Sequence, residues 1–314
     1  MERNGLKDVL AIGAALIDIV ALIDKFPGID QEVFVPKLEL MGGGSAANFA
    51  VACARMGLKT GFVGKLGSDS FGERLLQEFK KDNVETEKIV FNKEIQTGIC
   101  YAAVDKRGNR ILYAFSGAAN DLQPKDLDGE YLKAFQVIHL ASLKNIDPLV
   151  KAAELVQGTK TRVCLNPGSL IVDQGLKTCE KLLKLTQIFI GSQGEVKQLF
   201  QTDDLSEGLD RLLNYVEIAA ITQGEKGSLI ADKDFQTQLL AEKVKVVDTT
   251  GAGDAFSAGF IYGLLRFNFD HSKLDICGKL GNKAAASKIQ AVGARGGLLT
   301  ASAVSEILKQ LNKR

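Results

Sequence analysis

The chain has little of what most metal and nucleophile chemistry needs. Its 314 residues hold two histidines, His139 and His271, and no tryptophan. Two imidazoles supply a histidine-based metal site or a Ser-His-Asp triad poorly. His139 lies in an apolar run, Val137-Ile-His-Leu-Ala141, and reads as a satisfied core residue. The five cysteines, Cys53, Cys100, Cys164, Cys179 and Cys277, form no C-x-x-C pair, and several stand in apolar runs. That is the setting of buried reduced thiols and suits a reducing cytoplasm. Neither charge sign is in excess. The net charge of +1, from 39 basic and 38 acidic side chains, gives no long-range pull on nucleic acid or an anionic membrane. No apolar run approaches membrane-spanning length, and residues 1–8 lack the apolar core of a signal peptide. Five prolines argue against a proline-rich interdomain tether. No internal repeat is visible, and residues 309–314 read as a solvated helix end.

What the chain does have is alternation. Short apolar runs at 9–13, 60–64, 137–141, 162–166, 188–191, 218–222, 228–231 and 243–247 read as strands. Between and after them, apolar residues at helical spacing mark 46–56, 71–81, 148–157, 172–185, 195–200, 205–215, 252–267, 275–291 and 301–311. Strand–helix alternation predicts a mostly parallel sheet covered on both faces. Two stretches, about 19–41 and 97–115, have no helices to cover them. The second reads as a hairpin turning at Asp105-Lys-Arg-Gly-Asn109. Together they predict a small sheet lying over something, such as a lid.

Two glycine clusters stand out. Residues 248–256 read Asp-Thr-Thr-Gly-Ala-Gly-Asp-Ala-Phe, between an expected strand and a helix. Gly251 and Gly253 let the backbone turn sharply and approach a ligand closely. The unpaired N–H groups and dipole of the following helix favour an anion there, most readily phosphate. Asp254 puts a carboxylate beside that hole, which a general base explains and a dipole-complementing side chain also explains. The other cluster, Gly42-Gly-Gly-Ser-Ala-Ala-Asn48, opens another helix on a small-residue face. It fits a dinucleotide fingerprint loosely, but the ribose-binding acid expected after the next strand is missing, and no P-loop pattern occurs.

Residues 43–48, continuing through Gly67-Ser-Asp-Ser-Phe-Gly72, and residues 248–256 together resemble the ribokinase (PfkB) family of carbohydrate and nucleoside kinases. The resemblance covers nearly the whole chain. It implies a ribokinase-like three-layer αβα domain over 1–314, with a mostly parallel central sheet and the two helix-free stretches forming a small β-sheet lid. It implies transfer of the γ-phosphoryl of ATP to a hydroxymethyl group, with Mg²⁺ and a monovalent cation such as K⁺. Asp254 matches the base, and Gly251, Ala252 and Gly253 match the donors that stabilise the phosphoryl charge. Asp18, Gly43, Gly44 and Asn48 match the sugar-binding positions. Thr222, Gly224 and Gly227 resemble the nucleotide loop, and Asn282 a position near the adenine. Glu195 matches a water-mediated Mg²⁺ partner, and Asp248 and Thr250 match monovalent-cation ligands. Ser192 departs from the family's asparagine at the head of its Asn-x-x-Glu, which predicts weaker metal affinity.

The acceptor is less legible. Leu16 stands two residues before Asp18, where ribokinases have asparagine, and this looks more like the nucleoside-kinase branch. No arginine is apparent in the substrate-side motifs, which points away from an acidic sugar. A neutral sugar is the leading expectation and a nucleoside the alternative. A non-catalytic sugar- or nucleotide-binding protein and a dinucleotide oxidoreductase are the readings from other classes. A homodimer through the lid is expected, because exposed strand edges invite pairing.

Overall fold

A computed structural model describes residues 5–311 apart from Gly108 and Ser142. The glycine expected in the hairpin turn and residues 312–314 of the expected helix end therefore lie outside the described residues.

Fourteen strands are described: β1 (Lys7–Ile12), β2 (Leu16–Leu22), β3 (Lys37–Gly43), β4 (Thr60–Val63), β5 (Lys65–Gly67), β6 (Val90–Asn92), β7 (Thr97–Val104), β8 (Arg110–Gly117), β9 (Phe135–Ala141), β10 (Arg162–Asn166), β11 (Ile188–Ser192), β12 (Ile218–Thr222), β13 (Ser228–Ala231) and β14 (Gln236–Leu239). The helices are α1 (Ser45–Arg55), α2 (Ser70–Lys81), α3 (Gly129–Lys133), α4 (Asp147–Leu155), α5 (Gly168–Val172), α6 (Leu176–Lys184), α7 (Gln193–Phe200), α8 (Leu205–Leu212), α9 (Ala252–Arg266), α10 (Leu274–Lys288) and α11 (Ala301–Leu311).

Eight strands form one sheet in the order β14-β13-β12-β11-β10-β9-β1-β4. Pairing is parallel from β4 through β12 and antiparallel for β13 and β14. Successive side chains of a strand point to opposite faces, and here each face has its own core. Val9 and Ala11 of β1 pack with residues of α1, α9, α10 and α11. Leu10 and Ile12 of the same strand pack with α4, α6, α7 and α8. Both faces are thus covered, which is why these strands read as continuous apolar runs rather than alternating ones. No helix among the described residues is long and apolar enough to cross a membrane.

A second sheet, of order β3-β2-β7-β8, gathers the two helix-free stretches. β7 and β8 are the antiparallel hairpin read from the sequence. β2 pairs antiparallel with β3 and parallel with β7. Strand β8 is the exposed edge, and Leu38, Ile111, Leu112, Tyr113 and Phe115 of this sheet face solvent.

Four local expectations are corrected. Residues 243–247 are not a strand: the Lys-Val-Lys-Val alternation finds no ladder partner among the described residues, Val246 and Val247 are exposed, and the segment is tied where Val247 and Asp248 donate N–H bonds to the Ile289 carbonyl. The helix expected over 172–185 starts only at Leu176, because Val172 ends α5 and Gly175 at φ 78° caps α6. Gly42 and Gly43 finish β3 instead of opening a helix, and only Gly44, at φ 93°, caps α1. His139 is fully buried and stacked on Phe49, but it is not fully satisfied: Nδ1 meets Cys164 Sγ at 3.3 Å while Nε2 has no partner among the described residues. Burial lowers its pKa to about 3, so it stays neutral. The five cysteines are free, and four are buried.

Candidate active site

The sheet order reverses between β1 and β9, since the chain runs outward from β1 to β4 and returns to β9 before continuing to β14. In such sheets the crevice at the carboxyl ends of the strands beside this switch point is the ligand site. Asn166, Ser192 and Thr222 end β10, β11 and β12 there, with Ser192 and Thr222 in register. Asn166 reaches Ser257 of α9 at 3.2 Å, which sets the start of α9 over the strand ends.

Gly251 caps α9 at φ 77°, a conformation that favours glycine. A Cβ there would also stand 2.7 Å from the Ala294 carbonyl. Gly253 has open space around its Cα. Of the three donors expected to face an anion, Ala252 N–H bonds to the Thr249 carbonyl at 3.1 Å, while Gly251 and Gly253 have no backbone acceptor among the described residues. The Gly251 and Gly253 N–H groups are thus the ones left for an anion.

Asp254, in the first turn of α9, is held from α1. Ser45 Oγ donates to its Oδ1 at 2.6 Å and Asn48 Nδ2 to its Oδ2 at 2.9 Å. On the other side of the Asn48 amide, Oδ1 accepts from Arg295 Nε at 3.1 Å. A carboxylate on one side and a guanidinium on the other fix the orientation of that amide. Burial raises the pKa of Asp254 above the ordinary carboxylate range, against the pull of Ser45, Asn48, Arg295 and Lys288. A base of raised affinity suits proton removal from an alcohol better than an ordinary carboxylate does.

Asp18 lies on β2, with Leu16 on the same face of the strand. Burial raises its pKa to about 6, with Asp254 and Asp248 adding to the effect and Arg295 opposing it. A side chain at Gly43 would collide with the Asp18 carboxylate, and one at Gly42 with Glu78 and Arg295. Absence of a side chain at both positions is what lets Asp18 and Arg295 reach the crevice.

Arg295 and Ser45 escaped the sequence reading. Arg295 is far along the chain from every substrate-side motif, yet it bonds to Asn48 and pairs with Glu78 at 2.9 Å. Its Nη2 is buried without a partner among the described residues. The substrate-side motifs themselves hold no arginine, and Arg295 comes to Asn48 from outside them. No signal in the sequence singles out Arg295. Ser45, inside the first glycine cluster, was open to notice as a hydroxyl at a helix start.

On the nucleotide side, Gly224 (φ 62°) and Gly227 (φ 94°) bracket a short 3₁₀ turn after Thr222. Asn282 is buried on α10, and its Nδ2 donates to the Leu240 carbonyl at 3.1 Å. It therefore ties α10 to the end of β14. Ser192 and Glu195 form a capping box on α7, with Glu195 Oε2 accepting from Ser192 N at 2.8 Å and Ser192 Oγ accepting from Glu195 N at 3.2 Å. The pattern Ser-x-x-Glu before an apolar run is the sequence signature of that cap, and it gives Ser192 a purpose of its own. Burial raises the pKa of Glu195, Ser192 opposes, and Asp254 adds to the rise. No cluster of three metal-ligating side chains occurs among the described residues. The donor set fits a Mg²⁺ ion that keeps its waters and rides on phosphates, with Glu195 beside it, rather than a protein cage.

Residues 6–301 match the profile of the pfkB family carbohydrate kinases. The chain belongs to that family. An uncharacterized sugar kinase of Archaeoglobus fulgidus is 35% identical over 249 residues, which is 78% of this chain and 97% of that one. The ribokinase of Lactococcus lactis is 30% identical over 306 residues, covering 96% and 97%. Among solved structures, a ribokinase-like protein of Escherichia coli with ATP and Mg²⁺ superposes with a TM-score of 0.84 at 22% identity, over 97% of this chain and 100% of that one. This last likeness shows the shared fold.

Proposed function

We propose that this pfkB family kinase transfers the γ-phosphoryl of MgATP to a hydroxymethyl group of a neutral sugar. The observation that carries the reading is the carboxylate of Asp254, buried at the N-terminal turn of α9 and aligned by Ser45 and Asn48. Asp254 takes the acceptor's proton as the oxygen attacks, and the N–H groups of Gly251 and Gly253 receive the charge on the transferring phosphoryl. Asp18 accepts from the acceptor's hydroxyls, while the second Asn48 amide hydrogen remains for one of them. The backbone of Gly43 and Gly44 lines the same wall. Thr222, Gly224 and Gly227 hold the nucleotide, with Asn282 shaping the adenine side. Glu195 would stand beside a hydrated Mg²⁺, which would supply neutralisation of phosphate charge.

Neutrality of the acceptor follows from the charges around it. Asp18 and Asp254 form no ion pair among the described residues, and the Arg295 guanidinium beside them is already engaged by Glu78 and Asn48, so an anionic acceptor meets net repulsion. Leu16, on the same face of β2 as Asp18, adds one apolar side chain, which also fits a nucleoside base, and the nucleoside reading rests on it. The four-stranded sheet serves as a lid within one domain, and its apolar outer face with the β8 edge pairs two copies as a homodimer.

A coupled ATP-consumption assay over ribose, fructose, 2-keto-3-deoxygluconate, adenosine, inosine and cytidine tests this. Turnover on a neutral sugar supports the proposal. Turnover on nucleosides alone supports the second reading. Turnover on the acid alone contradicts the charge argument. Binding of ATP and a sugar without any turnover supports a binding protein instead.

A further inference from the structure

Resting on the kinase reading above, we propose that the ε-ammonium of Lys288 stands in for a monovalent cation beneath the phosphoryl-transfer turn, so that the protein works without potassium or sodium. Lys288 ends α10 and has 0% exposure. Lysine is almost never buried to that degree unless its charge is answered. Here Nζ donates to the Asp248 carbonyl at 2.7 Å and to the Ala291 carbonyl at 3.4 Å. Peptide carbonyls converging on a buried unit charge are what an alkali cation binds, and ammonium matches potassium in charge and closely in size.

Both carboxylate oxygens of Asp248 already accept from the protein. Asp248 Oδ1 accepts from Thr250 N at 2.9 Å and from Thr250 Oγ1 at 2.7 Å, and Oδ2 accepts from Gly293 N at 2.8 Å. Each oxygen of Asp248 thus has a donor from the protein itself. An alkali ion would have to displace these donors while standing next to a fixed ammonium. The residues do not fit a separate K⁺ site.

The ammonium also does an ion's mechanical work. It joins the turn before α9 to the turn after α10, along with the Gly293–Asp248 bond and the bonds of Val247 and Asp248 to Ile289. The Ala294 carbonyl on that second turn abuts Gly251. Lys288 therefore braces the glycines of the anion hole and adds a positive charge behind them, and its own place at the C-terminus of α10 favours a cation. Burial lowers its pKa, and the carboxylates of Asp248 and Asp254 oppose that fall.

The test compares wild type with Lys288→Ala and Lys288→Met, in tetramethylammonium buffer with K⁺ or NH₄⁺ added at constant ionic strength. Two quantities are read: the melting temperature of the free protein and the turnover with MgATP and a working acceptor. We expect wild type to show no K⁺-specific change in either. Lys288→Ala should melt lower and turn over about thirtyfold more slowly, the upper end for a charge at a helix terminus. K⁺ or NH₄⁺ should restore both, whereas Lys288→Met, whose side chain still fills the space, should recover little. Potassium activation or K⁺-specific stabilisation of wild type would overturn the proposal. So would a folded Lys288→Ala protein that neither ion rescues. The melting readout needs no acceptor, so a wild type that turns over nothing would count against the kinase reading and leave this test intact.

Discussion

Replacing Asp18 with asparagine should make the protein more stable and less able to hold its acceptor. Burial raises the Asp18 pKa from its ordinary 3.8 to about 6. The folded state therefore binds that proton more tightly than the unfolded chain does. The native state is favoured most below pH 3.8, loses ground as pH rises towards 6, and carries the full cost of the ionised buried carboxylate above that. At about 1.4 kcal/mol for each tenfold difference in proton affinity the cost is about 3 kcal/mol, and partial solvent access reduces it to about 1–2 kcal/mol. Asparagine keeps the shape and has no ionisation to suppress. Urea unfolding of wild type and Asp18→Asn across pH 4 to 8 would check this. The variant should gain about 1–2 kcal/mol at pH 8, and the gain should shrink to near zero at pH 4 with an unchanged m value. Its acceptor KM should rise about ten- to a hundredfold, the worth of a hydrogen bond to a charged group. A variant less stable than wild type at pH 8, or a gain that does not depend on pH, would refute the reasoning.

Arg295→Leu removes a guanidinium that sits between Glu78 and Asn48 and lowers the cost of ionising Asp18. Chemical denaturation should register a loss of about 1–3 kcal/mol, because Glu78 keeps only Arg74 among the described residues, Asn48 Oδ1 loses its donor and the charge that opposes the Asp18 burial cost is gone. Ser192→Ala breaks the capping box with Glu195. Stability should fall by about 0.5–2 kcal/mol, and Ser192→Asn, which can still cap, should keep that stability and show a lower Mg²⁺ requirement in a titration of turnover.

The alternating architecture was legible because its causes are local. Strands buried on both faces read as short apolar runs, and amphipathic helices read by their spacing. The reading failed at 243–247, where the local pattern is strand-like but no strand among the described residues pairs with it. It failed at 172–185, where Gly175 caps a helix that starts only at Leu176. Missing β14 has a similar origin, since Gln236–Leu239 is a mostly polar edge strand defined by its pairing with β13. In the site, Asp254, Gly251 and Asn48 were legible because turn geometry and helix starts leave signatures in adjacent residues. Arg295 and Lys288 were not, because each acts through tertiary contacts tens or hundreds of positions away. Asn48 was read as a substrate contact, and the structure adds that it bridges Arg295 to Asp254.

The central claim is that Asp254 is the base of a phosphoryl transfer. Purified Asp254→Asn, compared with wild type in the coupled ATP assay at saturating acceptor, tests it most directly. The carboxylate's removal should cut turnover about a hundredfold or more, while ATP binding by calorimetry stays close to wild type. Turnover within a few-fold of wild type would contradict the account.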